Sequence, residues 1–273
     1  MTKLIFLDID GTLTVPGSNE PPESALTAIR RAQEKGNKVF LCTGRNMGML
    51  YPLLKYGFDG VVASAGGYVM YGDQVLFDHP MARQETETAL DLFHAEGVIC
   101  TVETRDAAYV DDDLTDFLGG VSSGNSELER WRRALKDNLD MRPMQEYDGS
   151  PAYKVLMMFK EDKQLDKARE ALEDDFNFCI QDGDTFGARN GEIIHRSFDK
   201  GRGILAICHA LDVPITETIG FGDSMNDLEM IRTVGTSVCM DNGSPSLKAI
   251  SDLVCPSVEE DGLAWGFARL GLI

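Results

Sequence analysis

The feature that most constrains this chain is its first dozen residues. Leu4-Ile5-Phe6-Leu7 is an unbroken apolar run that stops at Asp8. A short apolar run without alternation reads as a strand buried on both faces, the kind found inside a parallel sheet. Ligands of open α/β sheets bind beyond the carboxyl ends of the strands, so Asp8 stands where chemistry is expected. Asp10 follows two residues later, and Gly11 allows a sharp turn before Thr12. Two carboxylates this close repel, and both stay ionised only beside a positive charge. Mg²⁺ suits them as a hard, oxygen-loving cation. The other chemistry open to the pair is a division of roles, one carboxylate attacking and the other carrying a proton.

The rest of the chain predicts what surrounds this strand. Helices are expected over 23–35, 46–56, 84–96, 126–138, 161–174, 200–211, 245–250 and 262–270, with another ending at Thr233. Buried strands are expected over 38–42, 60–64 and 218–221, and a hairpin over 68–77 with Gly72-Asp73 at its tip. Strand, helix, strand, helix, strand argues for a right-handed parallel α/β unit. The middle of the chain breaks that rhythm. Strands over 98–103, 108–110, 153–159 and 176–181 mix with helices, 140–151 reads as loop, and Phe186–Arg189 and Ile193–Arg196 read as short strands around a turn at Asn190-Gly191. The parallel pattern resumes near Lys200 and adds strands over 237–240 and 253–255. The expected fold is therefore α/β, a doubly wound Rossmann-like parallel sheet over 1–82 and 192–273, with an inserted α+β cap domain over 83–191.

Composition excludes some functions. The formal net charge of −19 argues against nucleic-acid binding, which depends on Lys and Arg at phosphates. No apolar run approaches the ~18 residues of a membrane span, and no signal peptide is visible. The six cysteines form no CxxC pair and read as small buried hydrophobes of a reducing cytoplasm. His79, His94, His195 and His209 show no zinc-ligand spacing. Asp111 to Asp113 reads as a solvated turn or helix start, with a metal role as the alternative.

At the expected strand ends stand Asp8 and Asp10, then Thr43-Gly44-Arg45, then Ser64, and later Asp223 and Asp227, with Lys200 opening a helix. Carboxylates for a metal, a hydroxyl and backbone N–H groups for phosphate, and one lysine make a set suited to phosphoryl transfer.

The motifs DIDGT at 8–12, TGR at 43–45, Lys200-Gly201 and GDSMND at 222–227 occur in order. With them the chain resembles a haloacid dehalogenase superfamily phosphatase of the Cof-like class, which carries a large α/β cap. The resemblance implies Asp8 as nucleophile and Asp10 as general acid and base. It implies Mg²⁺ held by Asp8, the Asp10 backbone carbonyl and Asp223. Thr43, Gly44, Gly11 and Asn226 would bind phosphate, and Lys200 would neutralise charge. Asp227 would support Lys200 or the metal shell, with Thr12 beside them. Arg45 would form an ion pair beside the site or touch substrate. The class usually has an Asn-Gly-Ala-like turn where this chain has Ser64-Ala65-Gly66, which puts a substrate contact by Ser64 in question.

The resemblance implies a small phosphorylated metabolite as partner, a sugar, cofactor or nucleotide phosphate, for a monomer or homodimer. Two other readings remain open. A phosphosugar mutase would need a bisphosphate activator, and a non-catalytic sensor of phosphorylated ligands would not need the intact carboxylates.

Overall fold

The computed structural model describes residues 2–114, 141–180 and 189–273. The helix expected over 126–138 and most of the strand expected over 186–189 lie outside them. The described chain divides into two units. The first comprises Met1–Arg45, Leu50–Asp78 and Phe198–Ile273, and the second Asn46–Met49 and His79–Ser197. The second unit thus takes in more chain than 83–191. Met81 bridges to Ala152, and the strand that opens at Arg189 runs on to His195.

The first unit is built on an eight-stranded sheet. In chain order its strands are β1 (Leu4–Leu7), β2 (Lys38–Cys42), β3 (Gly60–Ala63), β4 (Tyr68–Tyr71) and β5 (Gln74–Asp78), then β12 (Thr218–Gly222), β13 (Thr236–Met240) and β14 (Leu253–Cys255). The spatial order is β14-β13-β12-β1-β2-β3-β4-β5. From β14 to β3 all pairs are parallel, and the β4–β5 hairpin adds antiparallel edge strands. β1 sits between β2 and β12, with Phe6 opposite Phe40 on one side and Gly220 on the other. All four of its residues are 0% exposed, which is why its sequence cannot alternate.

Helices cover both faces. α5 (Lys200–Leu211) buries Ile204, Ile207 and Cys208 in one cluster with Leu4, Phe6, Phe40 and Val62. Phe6 and Phe40 stack there with ring centroids 5.0 Å apart. On α8 (Gly262–Arg269), Phe267 lies 5.4 Å from the ring of Phe221 in β12. α1 (Glu23–Glu34), α2 (Met47–Leu54), α6 (Leu228–Thr233) and α7 (Pro245–Ile250) complete the helices that flank these strands in sequence. Two caps fix helix starts. Asp199 accepts a hydrogen bond from the Arg202 backbone N–H, and Ser244 accepts one from that of Leu247, with Pro245 opening the helix.

The second unit is an α+β layer. Its six-stranded sheet has the order β10-β11-β9-β6-β7-β8, from β6 (Ile99–Thr104), β7 (Ala108–Val110), β8 (Met141–Pro143), β9 (Ala152–Phe159), β10 (Phe176–Ile180) and β11 (Arg189–His195). Its pairs are antiparallel except β7–β8. Phe93 and Ala89 of α3 (Arg83–Ala95) and Ala168 and Leu172 of α4 (Asp166–Leu172) share one cluster with Val102, Val155, Met157 and Ile193. Full burial of a side chain such as Phe93 contributes roughly 1.5–3 kcal/mol.

Three expectations are corrected here. Asn190-Gly191 is no turn: β11 is continuous, with Gly191 paired to Met157 of β9 and Ile180 of β10. Backbone pairing on both sides overrides the local turn preference. The stretch 140–151 contains β8, a three-residue strand ending in Pro143 that shows no alternation. The helix expected over 161–174 is shorter, a 3₁₀ turn at Asp162–Leu165 followed by α4. Among the described residues, no helix is long and apolar enough to cross a membrane.

Candidate active site

The carboxyl ends of β1 and β12 place Asp8 and Asp223 in one cluster with Asp227. One carboxylate oxygen from each lies within 4.8 Å of the others. Adjacent parallel strands bring about this meeting, since Leu7 and Phe221 are register partners and an aspartate follows each strand.

Lys200 sits at the centre. It opens α5 directly after the Asp199 cap and is 2% exposed. A buried cation in the first turn of a helix is disfavoured by desolvation and by the helix dipole, so it needs anionic partners. Its Nζ donates to Asp8 Oδ1 at 2.8 Å and to Asp227 Oδ1 at 2.5 Å. Burial alone would lower the lysine's pKa, but the charges of Asp227 and Asp8 outweigh it and hold Lys200 above its ordinary value. The other oxygen of Asp227 accepts the backbone N–H of Asp223 at 2.9 Å and of Ser224 at 3.2 Å. Asp227 therefore ties Lys200 to the loop that carries Asp223.

One lysine does not balance three carboxylates. Burial, then the charge of Asp227, pushes Asp8 up to about 7 against the opposing pull of Lys200. Burial and the charges of Asp227 and Asp8 push Asp223 up to about 9. A buried all-oxygen cluster with surplus negative charge fits a hard divalent cation, which would relieve that repulsion. Asp8 and Asp223 are the carboxylates available to hold it, since Asp227 is committed through both oxygens.

The turn after β1 is closely fitted. Gly11 has φ +90°, and a Cβ there would lie 2.4 Å from Asp223 Oδ2. The Gly11 N–H donates to the Thr14 carbonyl at 2.8 Å. Thr12 Oγ1 donates to Asp223 Oδ1 at 3.4 Å. A Cβ at Gly222 would stand 2.6 Å from Asp227 Oδ2. Only hydrogen fits at either glycine.

The Asp10 carboxylate is held by a buried arginine. Arg45 grips it with a two-bond fork, Nε to Oδ2 at 2.8 Å and Nη2 to Oδ1 at 2.7 Å. Asp10 Oδ1 also accepts the Gly17 N–H at 2.7 Å, and Arg45 Nη1 donates to Asn19 Oδ1 at 2.6 Å. Of the two readings of Arg45, the structure shows the ion pair.

Thr43 is buried at the end of β2, where its Oγ1 accepts the Arg45 N–H at 3.2 Å, with Gly44 between them. Ser64, Ala65 and Gly66 have φ of 48°, 56° and 105°, three left-handed residues in a row. Two of them are not glycine, so this turn is strained, a condition that clusters at functional sites. Ser64 is 1% exposed, and its Oγ has no hydrogen-bond partner among the described residues. Asn226 stands apart. It is exposed, and its Oδ1 accepts the Ser224 hydroxyl at 2.7 Å.

Sequence reasoning missed Asn242. Its Nδ2 donates to the Gly11 carbonyl at 2.8 Å and its Oδ1 accepts the Val258 N–H at 2.9 Å, which ties the turn after β1 to the end of β13. Its place at a carboxyl end was the available signal. The missed partners of Arg45, Ser18 and Asn19, lie in a loop with no local pattern to mark them.

Comparison with known proteins gives the chain its family. YkrA of Bacillus subtilis is 29% identical over 276 residues, covering 100% of this chain and 99% of that protein. From the same organism, 5-amino-6-(5-phospho-D-ribitylamino)uracil phosphatase YwtE is 26% identical, covering 98% of each chain. Among solved structures, a haloacid dehalogenase-like hydrolase from B. subtilis superposes with a TM-score of 0.80 at 21% identity, covering 98% of this chain and 100% of that one. The subclass IIB sugar phosphatase BT4131 superposes with a TM-score of 0.78 at 22% identity, covering 100% of both. A family model described as haloacid dehalogenase-like hydrolase matches residues 5–267, and the chain belongs to that family.

Proposed function

We propose that this protein is a Mg²⁺-dependent phosphatase of small phosphorylated metabolites, with Asp8 as its nucleophile. The observation that carries this reading is the buried Asp8–Lys200–Asp227 arrangement beside Asp223 at the ends of β1 and β12.

Asp8 attacks phosphorus, the bond to the leaving oxygen breaks, and an aspartyl-phosphate forms. Lys200 orients Asp8 and offsets charge as it builds on the phosphoryl oxygens. Asp227 acts through Lys200 and the Asp223 loop as a positioning residue. Mg²⁺, held by Asp8, the Asp10 backbone carbonyl and Asp223, would supply the positive charge that lets an anionic nucleophile meet an anionic phosphate.

Asp10 donates a proton to the leaving alkoxide and then takes one from the water that cleaves the aspartyl-phosphate. In the Arg45 fork it serves as an acceptor only, so its acid role requires that it turn out of that fork. Thr43, Gly44 and Gly11 would bind the phosphate in this reading, and Asn226, exposed and paired with Ser224, is the fourth candidate.

The second unit, inserted between β5 and α5, is the cap in this reading, and it sets substrate choice. YwtE and BT4131 are named for a ribityl phosphate and for sugars, which supports a polyhydroxylated phosphate monoester.

The test is release of inorganic phosphate from a panel of sugar, polyol, cofactor and nucleotide phosphates, with Mg²⁺ and with chelator. Metal-dependent release is the expected result. No release by folded, Mg²⁺-loaded protein would overturn the reading, and release only after a sugar bisphosphate is added would point to a mutase.

A further inference from the structure

A second cluster of ligand-type side chains lies wholly within the second unit and shares no residue with the candidate active site. His94 is in the last turn of α3, Cys100 is the second residue of β6, and Asp111 follows β7. One ligand atom from each lies within 4.8 Å of the others. We propose that His94, Cys100 and Asp111 form a binding site for a borderline-soft divalent metal of the zinc class, which pins the end of α3 to the β6–β7 strands.

The three residues come from successive elements, and the backbone already fixes them. The Asp111 N–H donates to the Cys100 carbonyl at 3.1 Å, while the Cys100 N–H donates to Asp111 Oδ2 at 2.7 Å. That carboxylate also meets His94 Nε2 at 2.9 Å. A reciprocal pair of this kind holds a carboxylate in place beside the metal position, as outer contacts do in metal sites. Metal–ligand bonds of about 2.0–2.3 Å in a tetrahedral site put ligand atoms roughly 3.3–3.8 Å apart. The ligand atoms all lie within 4.8 Å of one another, and the 2.9 Å contact of His94 Nε2 with Asp111 Oδ2 would have to open to admit the ion.

The donor set selects the metal. One nitrogen, one sulfur and one oxygen suit Zn²⁺ or Co²⁺, and do not suit Mg²⁺, which takes oxygen. The Asp8–Asp223–Asp227 cluster is all oxygen, so the two sites differ in kind. The plain alternative is an ion pair of His94 with Asp111 and a core thiol, since Cys100 packs in the second unit's apolar cluster and its Sγ donates a long hydrogen bond to the Val98 carbonyl at 3.8 Å. What favours a metal is that all three ligand atoms converge. Cys100 is fully buried, and burial and the Asp111 charge hold its thiol protonated. A bound metal would displace that proton and take the thiolate. His94 is 41% exposed in its side chain, which opens a path for entry and a fourth position for water. In the sequence only Asp111, within the 111–113 run, carried a metal alternative; the spacing of His94 and Cys100 matches no zinc motif.

The experiment is a Co²⁺ titration of the full-length reduced protein with Mg²⁺ in excess to occupy the oxygen site. The expected result is a thiolate-to-cobalt charge-transfer band that saturates at one equivalent and is bleached by Zn²⁺. Cys100→Ser should abolish the band, and His94→Ala should weaken Co²⁺ binding at least about tenfold. Zn²⁺ should raise the melting temperature of the wild type and not of His94→Ala. Both positions lie outside the phosphatase machinery, so Mg²⁺-dependent turnover stays as a control for folding. Absence of the band in folded protein, or a band undiminished in Cys100→Ser, would overturn the proposal.

Discussion

Each unit holds a buried lysine between two carboxylates, and the two clusters behave differently. Lys200 lies between Asp8 and Asp227 in the first unit. Lys154 on β9 lies between Glu103 on β6 at 3.3 Å and Glu192 on β11 at 2.9 Å in the second. Both lysines are 2% exposed. Lys154 stands directly opposite Glu103 in the sheet, so its cluster is made by strand register across three neighbouring strands. Lys200 is delivered by a helix start to the ends of parallel strands, where Asp223 adds a third carboxylate. Counted formally, the Lys154 arrangement sets two carboxylates against one lysine, and the Lys200 arrangement sets three. The second carries the larger surplus, at a place where ligands bind. A buried ion pair is therefore no sign of function; position in the topology and charge imbalance are what distinguish the two.

The sharpest break comes from Asp8→Asn. It should lower phosphate release by roughly 10⁴-fold or more while leaving the melting curve of the Mg²⁺-free protein intact or improved, since it removes one surplus buried charge. Activity near wild type would remove Asp8 as nucleophile.

Next is the lysine exchange. Lys154→Ala takes the cation away from buried Glu103 and half-buried Glu192 and should cost about 3–5 kcal/mol in denaturant unfolding. Surviving folded protein should still turn over. Lys200→Ala should abolish turnover even where its folding is sound. Replacing Glu103, Lys154 and Glu192 together with apolar residues of similar volume should be neutral or stabilising by about 1–4 kcal/mol. A large loss of stability in that triple variant would mean the charges do more than fill space.

A smaller effect is the pH dependence of the metal-free protein. Asp8 and Asp223 are raised from 3.8 to about 7 and about 9 in the folded state. The folded state then holds protons more tightly than the unfolded one, so their contribution is fully present below pH 3.8 and is lost as pH rises through the folded values. Unfolding of the chelated protein should show this decline from pH 3.8 to about 9, and saturating Mg²⁺ should remove it. A decline that Mg²⁺ leaves untouched would place its origin outside the carboxylate cluster.

The smallest expected effect is Ser64→Ala. With no hydrogen bond to lose, it should change stability by less than about 1 kcal/mol. A raised KM with unchanged stability would mark Ser64 as a substrate contact, and an unchanged KM would leave the hydroxyl without a part in binding.

Much of the first unit was legible because its strands are short, fully buried and punctuated by polar residues at their carboxyl ends. Asp8, Asp223 and Lys200 could be read that way, since parallel topology turns strand order into proximity. The Lys154 triad could not. Its members look like ordinary exposed charges in alternating strands, and only register brings them together. Asn190-Gly191 shows the same limit, a local turn signal overruled by pairing on both sides. The hold of Arg45 on Asp10 depends on side-chain direction, which spacing does not encode.

The close approach of Gly11 and Gly222 to the carboxylates has a consequence for how such a protein can vary. Both backbones pass within a methyl group's reach of Asp223 or Asp227, so neither position can accept a side chain without displacing a carboxylate from the cluster. The reacting frame is closed to gradual change. Under the proposed function, new substrates would have to come through residues outside that frame, so variation is expected to concentrate in the inserted unit.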